Sequence, residues 1–402
     1  MTPWLAVVGI GDDGLDGLAP AARTLVETAE VLVGGARHLA MVAPGAAERL
    51  PWQRPFAASI AAIAVRRGRR VVVLASGDPM WHGAGAVLAR HFPREDMTIV
   101  PHPGAFSLAA ARLGWAIAEC ATVSLHGRPL DTLRLHLAAN RRLLILSEDG
   151  ATPRAAARLL SETGWGPSQL VVFAHLGGTN EARHSATAAQ WGERTVADLN
   201  TIALECRAAP GTRNLSRLAG LPDDAFEHDG QLTKREIRAA TLAALAPVPG
   251  ERLWDVGAGS GSVAIEWLRA DEHLSAIAIE RDPARAARIA RNAAALGVPG
   301  LHVVTGAAPA ALAGLPPPDA IFAGGGSGDP ELLPLLWQNL RPGGRLVANV
   351  VSLEGERRLI DWQTRYGGDL TRLAVSHAEP LGSHRAWRPL LPVTQLVAVK
   401  PG

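Results

Sequence analysis

The 402-residue chain has two cysteines, Cys120 and Cys206, in unrelated contexts. Two such thiols exclude a disulfide framework and a cysteine-built zinc site, and they fit a reducing compartment. Lysine is nearly missing: Lys234 and Lys400 are the only two, so the basic charge is almost all arginine. With one tyrosine and many Ala, Gly and Pro residues, this reads as codon bias and not as a functional signal. The formal net charge is only +2, so no chain-wide excess favours nucleic acid or an anionic membrane. No apolar run reaches the ~18 residues of a membrane span. The N-terminal MTPWLAVVGIGDDG enters a strand directly, without the basic and apolar regions of a signal peptide. His91, His102, Glu272 and His273 show no metal-ligand spacing, so no metal is expected. These absences point to a cytosolic enzyme with neither membrane nor nucleic-acid partners.

What remains is an ordinary globular composition, 48% hydrophobic and 19% charged, long enough for two or three domains. The first half alternates apolar runs (WLAVVGI, EVLVGG, RVVVLASG, MTIVP, ATVSLHG, RRLLILSE, QLVVFAHLGG, NTIALEC) with amphipathic stretches such as PFAASIAAIAVRRG and TPRAAARLLSETG. Gly and Pro follow most of the runs, as βα turns require. The rhythm breaks over RAAPGTRNLSRLAGLPDDAFEHDG, which is polar and rich in Pro and Gly. The expected division is a domain over 1–206, a linker over 207–221 and a second domain over 222–402. The second half restarts with TKREIRAATLAAL and a cleaner βα series, and its closing VAVK suggests an antiparallel edge hairpin. The fold class is α/β throughout.

Each half carries a glycine-rich loop after a strand. In the second half, Asp255-Val256-Gly257-Ala258-Gly259-Ser260-Gly261 opens a helix, and Glu280 closes the next strand. A carboxylate there can accept both ribose hydroxyls of a nucleoside ligand. The glycines read G-x-G-x-G with an acid two positions ahead, which departs from the dinucleotide pattern and suits an adenosyl ligand carrying an amino-acid tail. In the first half, Gly9, Gly11 and Gly14 make a G-x-G-x-x-G, but the second strand ends in Gly34-Gly35 without the ribose acid. Asp12 and Asp13 also place negative charge where a pyrophosphate would sit. Neither loop reads as a dinucleotide site.

Residues 222–402 resemble the precorrin and cobalt-precorrin C15-methyltransferases of cobalamin synthesis. The resemblance rests on PDDAFEHDGQLTKREIRA, LWDVGAGSGSVAIEW, AIERDPARAARIARNAAALGV, PDAIFAGGG and GGRLVANVVSLEGE. It implies a class I, Rossmann-like methyltransferase fold and a decarboxylating activity. It also implies S-adenosylmethionine held by Thr233, Asp255, Gly257, Gly259, Ser260, Gly261, Glu280, Ala307 and Ala308. Residues 3 to about 205 resemble the tetrapyrrole methylases, and within them the precorrin C5-methyltransferases. Here VGIG, VGGARHL, ASGDP, ARLGW, LHGR and HLGGTNE occur in family order. That resemblance implies two α/β subdomains with the cofactor in the cleft between them. Gly77 and Asp78 would hold its methionine part, and Gly9 and Gly11 would border cofactor and macrocycle. The implied cofactor count is one S-adenosylmethionine per domain, the substrate a precorrin tetrapyrrole, and the assembly a homo-oligomer.

A meso carbon of a reduced tetrapyrrole is an enamine-like nucleophile, so methyl transfer is mostly a matter of alignment. Loss of CO2 from an acetate side chain needs an electron sink, which the macrocycle can supply. Its carboxylates make arginines near the clefts plausible anchors. Arg37, Arg128, Lys234 and Arg235 are candidates, each with a solvated or capping role as the alternative. His126 reads either as a substrate contact or as a structural hydrogen-bonding group. Glu266 and Asn349 are the candidate catalytic groups, the first a turn past the glycine loop and the second at the carboxyl end of a strand. The Thr233–Arg238 segment and a floor at Gly324–Gly326 are expected to grip the acetate. Two rivals stand: a nucleic-acid methyltransferase, and a scaffold in which one domain has lost its cofactor. The first lacks a proline-containing loop at Phe322–Gly326, and the second must explain intact GDP and GAGSG loops.

Overall fold

The opening run LAVVGI has no polar alternation, which a strand tolerates when both faces are covered. In a computed structural model describing residues 3–324 and 330–402 it forms β1 (Leu5–Ile10), buried at all six positions. With β2 (Val31–Gly34), β3 (Glu48–Pro51), β4 (Val71–Ser76) and β5 (Met97–Val100) it makes a parallel sheet of order β3-β2-β4-β1-β5. Leu5, Val7, Val31, Val33 and Val73 pack on one face with Ile63 and Leu88. Ala6, Val8, Leu32, Val72 and Leu74 pack on the other with Val26 and Leu39. Each large aliphatic side chain so buried contributes about 1.5–3 kcal/mol. A second sheet follows from β6 (Cys120–Ser124), β7 (Arg142–Leu146), β8 (Gln169–Ala174), β9 (Ala182–Thr187) and β10 (Asn200–Glu205), in order β6-β7-β10-β8-β9. Only its β6–β7 pair is parallel. The helix Ala105–Leu113 covers this sheet with Phe106, Ala109 and Ala110 against Leu144, Phe173 and Ala203. Strands β3 and β9 have no counterpart in the sequence reading, because ERLP and ARHSAT lack apolar alternation.

The remaining strands are β11 (Arg252–Val256), β12 (Ser275–Glu280), β13 (His302–Thr305), β14 (Ala320–Ala323), β15 (Arg345–Val350), β16 (Asp369–Leu373), β17 (Ser376–Leu381), β18 (His384–Pro389) and β19 (Val393–Val399). Seven of them form a sheet of order β13-β12-β11-β14-β15-β19-β16, parallel except where β19 enters antiparallel to both its neighbours. The order runs outward in both directions from β11 and β14, and ligands bind at such a switch point in open α/β sheets. The helix Pro283–Ala295 starts where Asp282 caps it, accepting from Ala284 N at 2.8 Å, with Pro283 at its first position. The closing VAVK is not the sheet edge. Leu396 and Ala398 are buried, and β16 is the edge strand. The hairpin lies earlier, as the exposed pair β17–β18.

The chain divides into two units, Met1–Leu130 with His136–Asn214, and Leu215–Gly402 with Asp131–Leu135. The expected linker over 207–221 is therefore shared out. Ala209 N and Thr212 Oγ1 donate to Gly164 O at 2.8 Å each in the first unit. Leu221 is buried in the core of the second, with Leu215 packed against it. Apolar residues spaced singly among Pro and Gly give no periodic signal, though Leu215 and Leu221 find a place in the core while Leu218 stays exposed.

Candidate functional sites at the two glycine loops

In the second unit, the loop after β11 takes left-handed backbone at Gly257, Gly259 and Gly261, with φ of 72°, 59° and 78°. L side chains rarely adopt that region. Gly259 is also crowded from above, since a Cβ there would sit 3.1 Å from the Gln231 carbonyl oxygen. Gln231, in the lead-in segment, thus lies against the loop. Glu280, at the end of β12, is buried and accepts from Gly259 N at 2.8 Å and from Asp282 N at 3.0 Å. The carboxylate shapes the loop while one lone pair on each oxygen stays available. Ala307 and Ala308 follow β13, whose neighbouring Gly306 N donates to the Glu280 carbonyl at 2.9 Å.

Asp255 is the strongest electrostatic feature of this loop. Its Oδ2 accepts Ala264 N at 3.0 Å, tying the strand to the helix Ser262–Ala270. Its Oδ1 is buried and has no partner among the described residues, and the same holds for Ser260 Oγ. Burial, reinforced by the nearby Glu280 carboxylate, pushes Asp255 up to about 7. Two orphaned buried polar atoms beside a loop without side chains suit a ligand that brings its own donors. This is the fit expected for an adenosyl ligand with an ammonium tail.

Glu266 and Asn349, the expected catalytic pair, are placed elsewhere by the structure. Glu266 is 2% exposed and faces Arg238, itself 0% exposed, at 2.6 Å. It also accepts Gly220 N at 2.6 Å and Leu221 N at 2.9 Å. Arg238 is further engaged by Asp223, the Thr233 and Leu221 carbonyls and the face of Phe226. Glu266 therefore anchors the start of the unit and has no free face for substrate. Asn349 is buried too, donating to Thr241 Oγ1 at 2.8 Å and accepting from Gln395 Nε2 at 2.9 Å. It joins β15, β19 and the helix Arg235–Leu245. Those contacts take Arg238 out of the acetate-gripping segment. Lys234 stays half-exposed at 3.7 Å from Asp223, and Arg235 is exposed with Nε donating to Gly220 O at 3.0 Å. Of the expected glycine floor, Gly324 follows β14, whereas Gly325 and Gly326 lie outside the described residues.

In the first unit, the loops after β1, β4 and β5 converge. A Cβ on Gly9 would fall 2.0 Å from the Gly77 carbonyl oxygen and 2.7 Å from His102 N, so only glycine allows this crossing. Gly77 N donates to Ile10 O at 3.0 Å, and Gly11 lies against the His102 ring. Asp78 makes a local turn by accepting Met80 N at 2.8 Å. The sequence reading thus placed Gly9, Gly11, Gly77 and Asp78 in what proves to be one edge of the sheet. Arg37 reaches the same edge, with Nη1 at 2.7 Å from Asp12 Oδ1. His126 and Arg128 lie on an exposed turn after β6, where His126 Nδ1 is 3.2 Å from Glu148. His102, His175 and Gln231 went unremarked as site residues. Only tertiary structure brings the last two to the loops, from 163 and 28 positions away.

The family described as tetrapyrrole (corrin/porphyrin) methylases matches residues 5–191, and the precorrin methyltransferase domain family matches residues 224–400. A precorrin-6Y C(5,15)-methyltransferase [decarboxylating] from Sinorhizobium sp is 50% identical, over 98% of this chain and 96% of that protein. One of the same name from Mycobacterium tuberculosis (strain CDC 1551 / Oshkosh) is 42% identical, over 98% of this chain and 100% of that protein. Among solved structures, the C-terminal domain of precorrin-6Y C5,15-methyltransferase from Rhodobacter capsulatus is 48% identical. It covers 46% of this chain and 100% of that one, with a TM-score of 0.44. Among the described residues, no helix is long and apolar enough to cross a membrane.

Proposed function

This chain belongs to the precorrin-6Y C5,15-methyltransferase (decarboxylating) family, and from that membership we propose that its two units divide the reaction, each with its own S-adenosylmethionine. The enzyme methylates a precorrin at C5 and C15 and removes one carboxyl group as CO2, in cobalamin biosynthesis. Methyltransferases of this family use S-adenosylmethionine, which supplies an electrophilic methyl group on a sulfonium. The first unit carries C5 methylation, and the second carries C15 methylation with decarboxylation. The carrying observation is that each unit has its own glycine-rich edge at the carboxyl ends of parallel strands.

In the second unit, Glu280 would accept the ribose hydroxyls, and the loop from Gly257 to Gly261 would admit the ligand to the strand ends. Asp255 Oδ1 and Ser260 Oγ would take donors from the amino-acid tail or from bound water. Thr233, Ala307 and Ala308 would flank this position, and Lys234 with Arg235 would offer charge to substrate carboxylates. In the first unit, Gly9, Gly11, Gly77 and Asp78 would hold the second cofactor, and Arg37 stands at that same edge. His126 and Arg128 remain candidates for the macrocycle rim. A cytosolic location and a homo-oligomeric assembly belong to the same reading, and sedimentation velocity tests the assembly.

Calorimetry with S-adenosylhomocysteine tests the division. Two sites per chain are expected, one of them weakened in Glu280→Ala and the other lost in Asp78→Ala. A single site, or a loss of both in either variant, rejects it.

A further inference from the structure

We propose that His175 is the base that removes the meso proton during C5 methylation, held for that task by Asp12; this rests on the assignment of C5 methylation to the first unit. His175 follows β8 in the second sheet of the first unit, whereas Asp12 follows β1 in the first sheet. Across that separation His175 Nδ1 lies 2.9 Å from Asp12 Oδ2. The other carboxylate oxygen is fixed by Arg37 Nη1 at 2.7 Å. A carboxylate accepts only, so it selects the tautomer protonated on Nδ1 and leaves Nε2 as the basic nitrogen. Among the described residues no hydrogen bond engages Nε2, and the His175 side chain is 32% exposed while Asp12 is 15% exposed.

Two backbone features make this pair possible. His175 has a φ of 51°, a conformation that costs free energy in a non-glycine residue and concentrates at functional sites. A Cβ on Gly178 would sit 2.6 Å from Asp12 Oδ2, so the neighbouring turn must stay bare for the carboxylate to reach the ring. The pair stands at the edge where Gly9, Gly77 and His102 meet, since Asp12 is one residue past Gly11. The other imidazoles there are differently placed. His38 is buried against Arg37 and Ser76 Oγ, and burial together with Arg37 pushes it down to about 4. His102 lies 3.7 Å from Asp13 and is 13% exposed.

The chemistry leaves a proton for such a group to take. As the C5–CH3 bond forms and the donor's S–CH3 bond breaks, C5 carries both the new methyl group and its original hydrogen, and the macrocycle is cationic. Transfer of that proton to Nε2 returns the C–H electron pair to the conjugated system and neutralises it. The imidazolium left behind shares the Asp12 carboxylate with Arg37, and it later gives its proton to water. No oxidant or reductant enters.

The test uses the full chain with S-adenosylmethionine and precorrin-6Y. In His175→Gln, C5 methylation should fall by about 10²–10⁴-fold, the usual worth of a positioned base. C15 methylation and CO2 release should proceed in the same tube, and added imidazole should restore C5 methylation in His175→Gly. Substrate deuterated at C5 should show a primary isotope effect that grows in His175→Gln. Independently of turnover, 15N-histidine spectra should show His175 protonated on Nδ1 in the wild type and should lose that signature in Asp12→Asn. A His175→Gln enzyme that methylates C5 at the wild-type rate overturns the proposal. So does a wild-type His175 protonated on Nε2, which decides the matter even if the position-175 variants fail to fold. A wild type that never methylates C5 would instead reject the assignment of the first unit.

Discussion

Replacing Glu266 with alanine should destabilise the second unit by about 3–5 kcal/mol, the usual cost of stranding a buried charge. The estimate follows from its partners. The Arg238 and Glu266 side chains are 0% and 2% exposed, so the arginine left behind cannot turn to water without moving the helix Arg235–Leu245. Two backbone donors, Gly220 N and Leu221 N, lose their acceptor as well, each worth about 1–3 kcal/mol when buried. These terms do not simply add, because Asp223 still faces Arg238 at 3.1 Å and water can enter beside it. Replacing the pair together, as Arg238→Met with Glu266→Leu, should recover only the part due to the stranded charge, since Gly220 N and Leu221 N still lack their acceptor. Hydrogen exchange of the full chain across a urea series reads the two units separately. Peptides from Arg235–Leu245 and Ser262–Ala270 should lose protection early in Glu266→Ala, while peptides from β1 and β4 stay unchanged. If the second unit keeps its urea midpoint and only C15 methylation is lost, Glu266 faces the reaction and the structural role assigned to it is wrong.

Other outcomes follow from the same geometry. The raised Asp255 means that the folded second unit keeps a proton which the unfolded chain gives up above the ordinary carboxylate range near pH 3.8. That contribution is complete below about pH 4 and is lost as pH rises toward 7. The stability difference between wild type and Asp255→Asn, from urea midpoints at several pH values, should shrink over that window; a constant difference would place the carboxyl in a wetter setting. Glu280→Ala should weaken cofactor binding at the second site by about 1.5–3 kcal/mol, from a lost charged hydrogen bond and a loosened Gly259. Unchanged affinity by calorimetry would refute the ribose role. Gly9→Ala should prevent closure of the loops after β1 and β4, because its Cβ would overlap the Gly77 carbonyl. A first unit of wild-type stability by exchange would contradict that packing. A fragment starting at Leu215 should be more stable to urea than one starting at Pro222, which lacks the donors to Glu266; equal midpoints would count against the placement of the unit boundary.

The legible parts of the sequence were those where local chemistry dictates the structure. LAVVGI reads as a strand covered on both faces, and it is one. The glycines from Gly257 to Gly261 announce left-handed backbone, and Glu280 at a strand end announces a carboxylate over that loop. Glu266 and Asn349 misled because their positions relative to the loop and strand end were right while their partners were distant. Arg238 lies 28 positions from Glu266, and Gln395 lies 46 from Asn349. Helical spacing cannot say which of two covered faces a carboxylate enters. The stretch over 207–221 misled for a related reason, since isolated residues pack into a core without any period, Leu221 buried and Leu215 partly so. The Asp12–His175 pair is invisible in the sequence because its members follow strands of different sheets, although the charge Asp12 brings to the first loop is legible.

The division of labour is tested most directly by the masses of the products that the full chain and two variants make from precorrin-6Y and S-adenosylmethionine. Wild type should yield a product two methyl groups heavier and one CO2 lighter. Asp78→Ala should yield one methyl group heavier and one CO2 lighter. Glu280→Ala, at cofactor concentrations below its weakened affinity, should accumulate material methylated once with every carboxyl group retained. If Asp78→Ala, still folded by circular dichroism, also loses C15 methylation and CO2 release, the two units do not act as separate sites.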